Sequence, residues 1–307
     1  MTSQIAGNGP VLGVDVSGSY LTAIAVGPDG AASEAFKEPR FDGSDPLERI
    51  VKFISIAREN LGPVSSVGIA IPGLINKENG GVAYSVNIPE HSSLNIAEAA
   101  RLATGLPVIL ENDANAAAYA EYMLGAGKGS SSMFYATIGD GVGGAFILNG
   151  KLWHGAAGYA GEFGYIAIDS EGTRLEEVAS AANIVRRTRN RFNRDSTSSL
   201  GKLPEERIGI AEIVRAGEEG DEFAHLMLER TGTYVGTAIA NVINLLNVET
   251  IVVGGEITQA KDIVIDAITN RAKELSFSRS FAKTRIVAGT VGESAAAIGV
   301  ALIAADA

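Results

Sequence analysis

One plan occurs twice in this chain, and it restricts the fold more than any other feature. Residues 12–30 read apolar strand, small-residue turn, apolar strand, tight turn. The runs 12–16 and 21–26 flank Ser17-Gly18-Ser19, and Pro28-Asp29-Gly30 closes the unit. Residues 133–150 follow the same plan, with Gly139-Asp140-Gly141 between the strands and Asn149-Gly150 at the end. Small-residue turns between apolar runs are hairpin signals. Read as an internal duplication, each copy opens one half of the molecule. Two unrelated hairpins would carry the same signals, so composition leaves both readings open.

Around these copies, strands and helices alternate. "DPLERIVKFISIARENL" has apolar residues three and four apart, which predicts a helix over 45–61. "VSSVGIAIPG" predicts a buried strand ending at Pro72-Gly73, and "SLNIAEAARLATG" a helix stopped by Gly105. "LPVILEND" then reads as a strand and "ANAAAYAEYMLGAG" as a helix. Beyond residue 165 helices dominate. "ASAANIVRRTRNRF" is a basic amphipathic helix, "RDSTSSLGKLPEERIG" a polar mobile loop, and "FAHLMLERTGTYVGTAIANVINLLN" one long helix or two. "VETIVVGGEI" is a buried strand ending in Gly254-Gly255, and "GESAAAIGVALIAAD" a final helix whose alanines suit tight packing on the first domain. This alternation argues an α/β architecture. At 307 residues the chain exceeds one comfortable core, so one large or two ordinary domains follow. The expected division is 1–113 with 292–307, and 114–291.

Bulk charge and composition exclude several function classes. Hydrophobic residues make up 46% and charged residues 20%, which fits a folded soluble protein. A net charge of −11 disfavours nucleic acid and anionic membranes as partners. An anionic nucleotide stays compatible, because a local patch of amides can oppose the global sign. With no cysteine, disulfides and thiolate metal sites are out. "MTSQIAGNGP" lacks the basic and apolar regions of a signal peptide, and "AAAIGVALIAA" is too short to span a bilayer. A cytoplasmic location is the default expectation.

Four places could carry chemistry. The two glycine-bearing turns expose amides that can hold phosphate oxygens, although neither matches the P-loop or Gly-x-Gly-x-x-Gly patterns. Asp15, at the end of a buried strand, either holds Mg²⁺ through water or caps its own turn. In "ENDANAAAYAE", Glu111, Asn112 and Asp113 lie between a strand and a helix, where ligands bind in open α/β sheets. Asp113 either caps the helix or accepts a proton from a substrate hydroxyl. Glu162, among the glycines of "GYAGEFGYI", and Glu176 in "RLEEVAS" either bond sugar hydroxyls or are surface carboxylates. His91, His154 and His225 are scattered without metal-ligand spacing, and none is assigned a role.

Over nearly its whole length the chain resembles the ROK family of sugar kinases, two-domain proteins of the actin-like ATPase (ribonuclease H-like) fold with a cleft between the lobes. "GVDVSGSY" is similar to the family's first phosphate loop, and "GIAIPGLI" to its Gly-x-Pro-Gly segment. "VNIPE" is similar to its Asn-Leu-Pro segment, and "ENDANAAAYAE" to its Asn-Asp-Ala-Asn-Ala-Ala signature. "TIGDGVGGAFILNGKLWHGAAGYAGEFGYI" resembles the long family signature, and "VVGGEI" the adenosine-side strand. The resemblance implies that a sugar hydroxyl attacks the γ-phosphate of MgATP while Asp113 accepts the proton. It places Asn87, Asn112, Glu162, Glu176 and Tyr165 at sugar positions. It places Asp15 at the metal-associated position, and Gly18, Ser19, Gly139, Asp140, Gly141, Gly254 and Gly255 on the nucleotide-binding segments. It also implies a homodimer.

The chain departs from the family at several points. The zinc-binding cysteine loop is missing, and Tyr165 replaces its histidine partner, so no zinc is expected. Ser17, Ser19 and Tyr20 stand where glycine, threonine and lysine are usual. Asp140 stands in place of threonine, and a carboxylate beside a triphosphate is repelled by a few kcal/mol at reduced dielectric unless Mg²⁺ intervenes. Three readings of Asp140 follow: it helps hold the metal, it turns outward, or it marks a chain that has lost efficient ATP use. The leading expectation is an ATP-dependent kinase of a hexose or N-acetylhexosamine. The alternative is a sugar-binding or regulatory protein with weak or no kinase activity. Family repressors carry a DNA-binding segment before the kinase-like part; with the first strand starting near residue 11 and an acidic chain, that version is not expected.

Overall fold

In the computed structural model, residues 9–76, 81–84, 95–192 and 197–307 are described. The chain forms two compact units. The first comprises Met1–Lys128, Lys151–Ala160 and Val291–Ala307, and the second Gly129–Gly150 and Gly161–Thr290. Each has its own apolar core.

In the first unit, β1 (Val11–Asp15) pairs antiparallel with β2 (Tyr20–Val26), which pairs antiparallel with β3 (Phe36–Pro39). On its other side β1 runs parallel to β4 (Ser66–Ile71), and β4 parallel to β7 (Val108–Asn112). The order is β3-β2-β1-β4-β7. The short strands β5 (Leu74–Asn76) and β6 (Gly81–Tyr84) form a separate ribbon. Helix α1 (Pro46–Leu61) starts where Asp45 accepts the amides of Leu47 and Glu48, and it buries Ile50, Phe53, Ile54 and Ala57 at helical spacing. Helix α2 (Ile96–Thr104) ends at Gly105 in the left-handed conformation, as the sequence predicts. Helix α3 (Asp113–Met123) follows β7 without a loop. The last helix, α10 (Ala295–Asp306), is buried along most of its length and packs on β1, β4 and α3. That approach is close enough to require glycine. A Cβ at Gly13 would lie 1.8 Å from the Ala297 carbonyl oxygen, and one at Gly299 1.7 Å from that of Ala116. The alanine-rich tail thus belongs to the first unit, as expected.

In the second unit, β8 (Ser132–Ile138) pairs antiparallel with β9 (Val142–Leu148) and parallel with β11 (Thr250–Gly254), which runs parallel to β12 (Arg285–Ala288). β10 (Lys151–Trp153) opens the 151–160 segment. The order β9-β8-β11-β12 reproduces β2-β1-β4-β7 in position and direction. Two unrelated hairpins would not be expected to hold the same place in two sheets of the same order, so the duplication reading is the one the topology supports. The remaining helices are α4 (Glu176–Ala179), α5 (Ala181–Phe192), α6 (Ile210–Glu218), α7 (Glu222–Leu246), α8 (Asp262–Leu275) and α9 (Ser278–Phe281). α7 is one continuous helix, stopped by Asn247 in the left-handed conformation.

Two expectations change. The division falls at 128 rather than 113, because α3 packs on α10 of the first unit, and Lys151–Ala160 also joins that unit. The segment read as a mobile loop is ordered over 197–209. The Ser198 and Ser199 hydroxyls donate to Asp221 at 2.9 and 2.6 Å, and Leu200 is buried in the core. The short strands β3, β5, β6, β10 and β12 carry too few residues for a periodicity signal. Among the described residues no helix is long and apolar enough to cross a membrane.

Candidate active site

Register collects the polar residues of the first unit at one sheet edge. Asp15 pairs with Ala70, and Ile71 with Asn112, so β1, β4 and β7 end together. Ligands of open α/β sheets bind at this carboxyl edge. Asn112, not Asp113, is the helix cap: its Oδ1 accepts the Asn115 amide at 3.1 Å. Its Nδ2 donates to the Gly73 carbonyl at 3.1 Å, tying β7 to the turn after β4. Asp113 is therefore the first helical residue, partly buried, with Oδ1 accepting the Ala114 amide at 3.0 Å. A carboxylate there gains from the helix N-terminal field.

Beneath this turn lies a network the sequence did not reveal. Glu111 is 3% exposed. Its Oε1 accepts from the Asn112 amide and from Asn115 Nδ2, both at 2.9 Å, and its Oε2 lies 2.8 Å from His154 Nε2. A buried carboxylate is stable only with such partners. His154 opens a loop closed by the Ala160 amide donating to its carbonyl at 3.0 Å. In the sequence it is one of three scattered histidines, and its partner lies 43 residues away. Asn87 and His91 lie outside the described residues; His225 is exposed on α7.

Asp15 serves the turn that follows it. Its Oδ1 accepts from the Ser17 amide at 2.8 Å and the Ser17 hydroxyl at 2.6 Å. Burial raises its pKa, while the Ser17 bonds and the charges of Arg40 and Lys37 pull it down. Gly18 and Ser19 complete the turn, with Ser19 exposed. Among the described residues no group of three or more His, Cys, Asp or Glu is placed to hold a metal ion. A single carboxylate fits a magnesium ion that arrives on a nucleotide, since Mg²⁺ keeps most of its waters and takes one or two protein oxygens.

The second unit has a different edge. Ile138 pairs with Val142, leaving Gly139, Asp140 and Gly141 as a tight turn in which the Gly139 amide donates to the Gly141 carbonyl at 3.0 Å. The Ala181 amide at the head of α5 donates to the Gly139 carbonyl at 2.7 Å. Asp140 is exposed and makes no hydrogen bond or ion pair among the described residues. Gly254 pairs with Thr137, so β11 ends beside this turn. Gly255 has φ +85°, and a Cβ there would lie 2.3 Å from the Ile138 carbonyl oxygen. Only glycine fits, which leaves bare backbone at the edge.

Glu162 and Glu176 come together in the same unit. Glu162 precedes the 3-10 turn Phe163–Tyr165, and Glu176 opens α4 with Oε2 accepting the Val142 amide at 3.0 Å. Partial burial of the Glu162 carboxyl and then the Glu176 charge push its pKa up. Two close carboxylates form an acceptor-rich patch suited to vicinal hydroxyls. Tyr165 is turned to the surface, where the Arg174 guanidinium lies 4.4 Å from its ring centre.

Comparison with known proteins places this geometry in context. The ROK family model matches residues 11–307. The glucokinase of Halalkalibacterium halodurans is 30% identical, across 94% of this chain and 92% of that one. The crystal structure of a ROK family glucokinase from Streptomyces griseus with glucose and AMPPNP superposes with a TM-score of 0.86 at 28% identity, covering 97% of this chain and all of that one. The DNA-binding transcriptional repressor Mlc of Escherichia coli is 28% identical across 74% of this chain and 58% of its own length.

Proposed function

The chain belongs to the ROK family, and on that premise we propose that it is an ATP-dependent kinase acting on a hydroxyl of a hexose or N-acetylhexosamine. The observation that carries the reading is the Asn112-Asp113 step at the carboxyl edge of β7. There a partly buried aspartate sits on a helix N-terminus with Oδ1 accepting the Ala114 amide, next to Asn112, whose own amide is held by the Glu111–Asn115–His154 network. A protein that only bound sugar would have no need of this base. Asp113 accepts the proton of the attacking hydroxyl as that oxygen bonds to the γ-phosphorus and the bond from phosphorus to the bridging oxygen breaks, ADP leaving with the electron pair. Phosphoryl transfer needs little else from the protein beyond position and charge neutralisation.

The other roles follow from the chemistry at each place. Asn112 keeps one amide proton for a sugar oxygen beyond its bond to Gly73. Glu162 and Glu176 accept from sugar hydroxyls, and Asn87 is assigned to the sugar by resemblance alone. Gly18, Ser19, Gly139, Gly141, Gly254 and Gly255 would present backbone to MgATP, and Asp15 would hold its magnesium, which would supply neutralisation of the phosphate charge. The glucokinase names among the relatives support a hexose.

An ADP-release assay across a panel of hexoses and N-acetylhexosamines tests the proposal. We expect sugar-dependent turnover that Asp113→Asn lowers by about 10²–10⁴-fold, with sugar affinity little changed. The repressor relative supports a second reading, a sugar-responsive regulator without turnover. Sugar-induced thermal stabilisation with no ADP release at any Mg²⁺ concentration would select that reading and defeat the kinase.

A further inference from the structure

The first phosphate turn has a cation that its own residues do not supply. Val16 to Tyr20 contain no basic side chain, and Asp15 places a carboxyl at its base. The register of β2 and β3 pairs Tyr20 with Pro39, so Arg40 falls opposite Ser19. Its amide donates to the Ser19 carbonyl at 3.0 Å, and its Nη1 donates to the Ser17 carbonyl at 3.1 Å and reaches that of Val16 at 3.5 Å. The guanidinium lies 4.5 Å from the centre of the Phe41 ring. Its Nε is buried without a hydrogen-bond partner.

Arg40 also lacks an ion pair among the described residues, in a chain whose acids outnumber its Lys and Arg 36 to 25. The reason is local. The two nearest acids along the chain, Glu38 and Asp42, are both taken by Arg49 of α1, at 2.8 and 3.4 Å. A partly buried guanidinium with an idle donor and no direct ion pair, only the longer-range charge of Asp15, is a poor arrangement for stability alone. It suits a site that meets an anion only when a ligand arrives. A planar fork of donors matches phosphate oxygens in particular.

We propose that Arg40 is a phosphate-contacting residue of the nucleotide site, acting on the β- and γ-phosphates from the far side of the Ser17–Ser19 turn. The inference rests on the kinase reading above. The bonds to the Ser17 and Val16 carbonyls hold the fork against the turn through Nη1 and leave Nη2, which has no hydrogen bond among the described residues, for the ligand. The charge that the turn itself lacks comes from the neighbouring strand.

Titration calorimetry on the full chain tests this with MgADP, Mg-AMPPNP and AMP as probes, in wild type, Arg40→Gln and Arg40→Lys. Arg40→Gln should weaken MgADP and Mg-AMPPNP by about tenfold or more, the value of one charge-assisted contact. AMP should change by less than about twofold. Arg40→Lys should recover part of the MgADP affinity. Unchanged MgADP binding in Arg40→Gln overturns the proposal, and so does an equal loss for AMP and MgADP, which would mark a brace of the turn. Equal losses in Arg40→Lys and Arg40→Gln overturn it too. A wild-type chain that binds none of the three nucleotides defeats the kinase reading itself, a different failure.

Discussion

The two hairpin turns occupy corresponding places in sheets of the same order, yet they are built on opposite principles. In the first, six residues, 16–21, join the paired Asp15 and Thr22, and side chains hold the connection: Asp15 takes the Ser17 amide and hydroxyl, and Arg40 crosses to the turn carbonyls. In the second, three residues, 139–141, join the paired Ile138 and Val142, and the turn itself is closed by backbone through the Gly139–Gly141 and Ala181–Gly139 bonds, with Glu176 accepting the Val142 amide at its exit. The first edge also carries Asn112 and Asp113 at the end of β7, while in the second Gly254 and Gly255 end β11, the counterpart of β4. A duplicated frame has thus diverged in what fills its edges. One copy holds ionisable groups on hydrogen-bonded supports. The other has a backbone-closed turn and, at Gly254 and Gly255, positions where no Cβ fits.

Substitutions at four positions test that contrast. The largest effect should come from the support under the first edge. Glu111→Ala removes the acceptor shared by Asn112, Asn115 and His154, and should lower kcat by about 10–100-fold, as losses of supporting residues do. Glu111→Gln keeps an acceptor for Asn115 and should stay within about tenfold of wild type. An effect on sugar KM alone, with kcat intact, would break the assignment of chemistry to this edge.

Next in size is the glycine of the second edge. Gly255→Ala must place a Cβ 2.3 Å from a carbonyl oxygen at φ +85°, and should destabilise by about 2–4 kcal/mol in urea unfolding. Gly18→Ala has no positive φ, and its Cβ would have no neighbour closer than 3.8 Å, so its cost should stay below about 1 kcal/mol. Comparable losses at the two sites would erase the distinction between a side-chain turn and a backbone turn.

The smallest effect belongs to Asp140. Its exposed charge is screened, so Asp140→Asn should lower the KM for MgATP by no more than about threefold, and the difference should fade in about 0.5 M salt. A tenfold rise in that KM would instead put this carboxylate on the magnesium.

Much of the fold was readable because its signals are local. The 3–4 spacing of α1, the Gly105 stop of α2 and the apolar runs of β1, β4 and β11 depend on neighbours in sequence, and the alternation they create dictates an α/β class. Asn112 and Asp113 were visible as a polar step between a strand and a helix. Their division of labour was not, because whether residue 112 or 113 caps α3 turns on one backbone dihedral. Glu162 and Glu176 could be named, but their proximity could not be read from the sequence.

By itself, then, the sequence determined the elements, the duplicated plan and the residue types available at each strand end, since these follow from steric preference and hydrophobic period. Tertiary structure alone decided which distant groups meet: His154 with Glu111, Arg40 with the turn after β1, and α10 with β1 through the missing Cβ of Gly13. The physical reason is that hydrogen bonds and charge pairs act over a few ångströms, and only the packed chain sets separations on that scale.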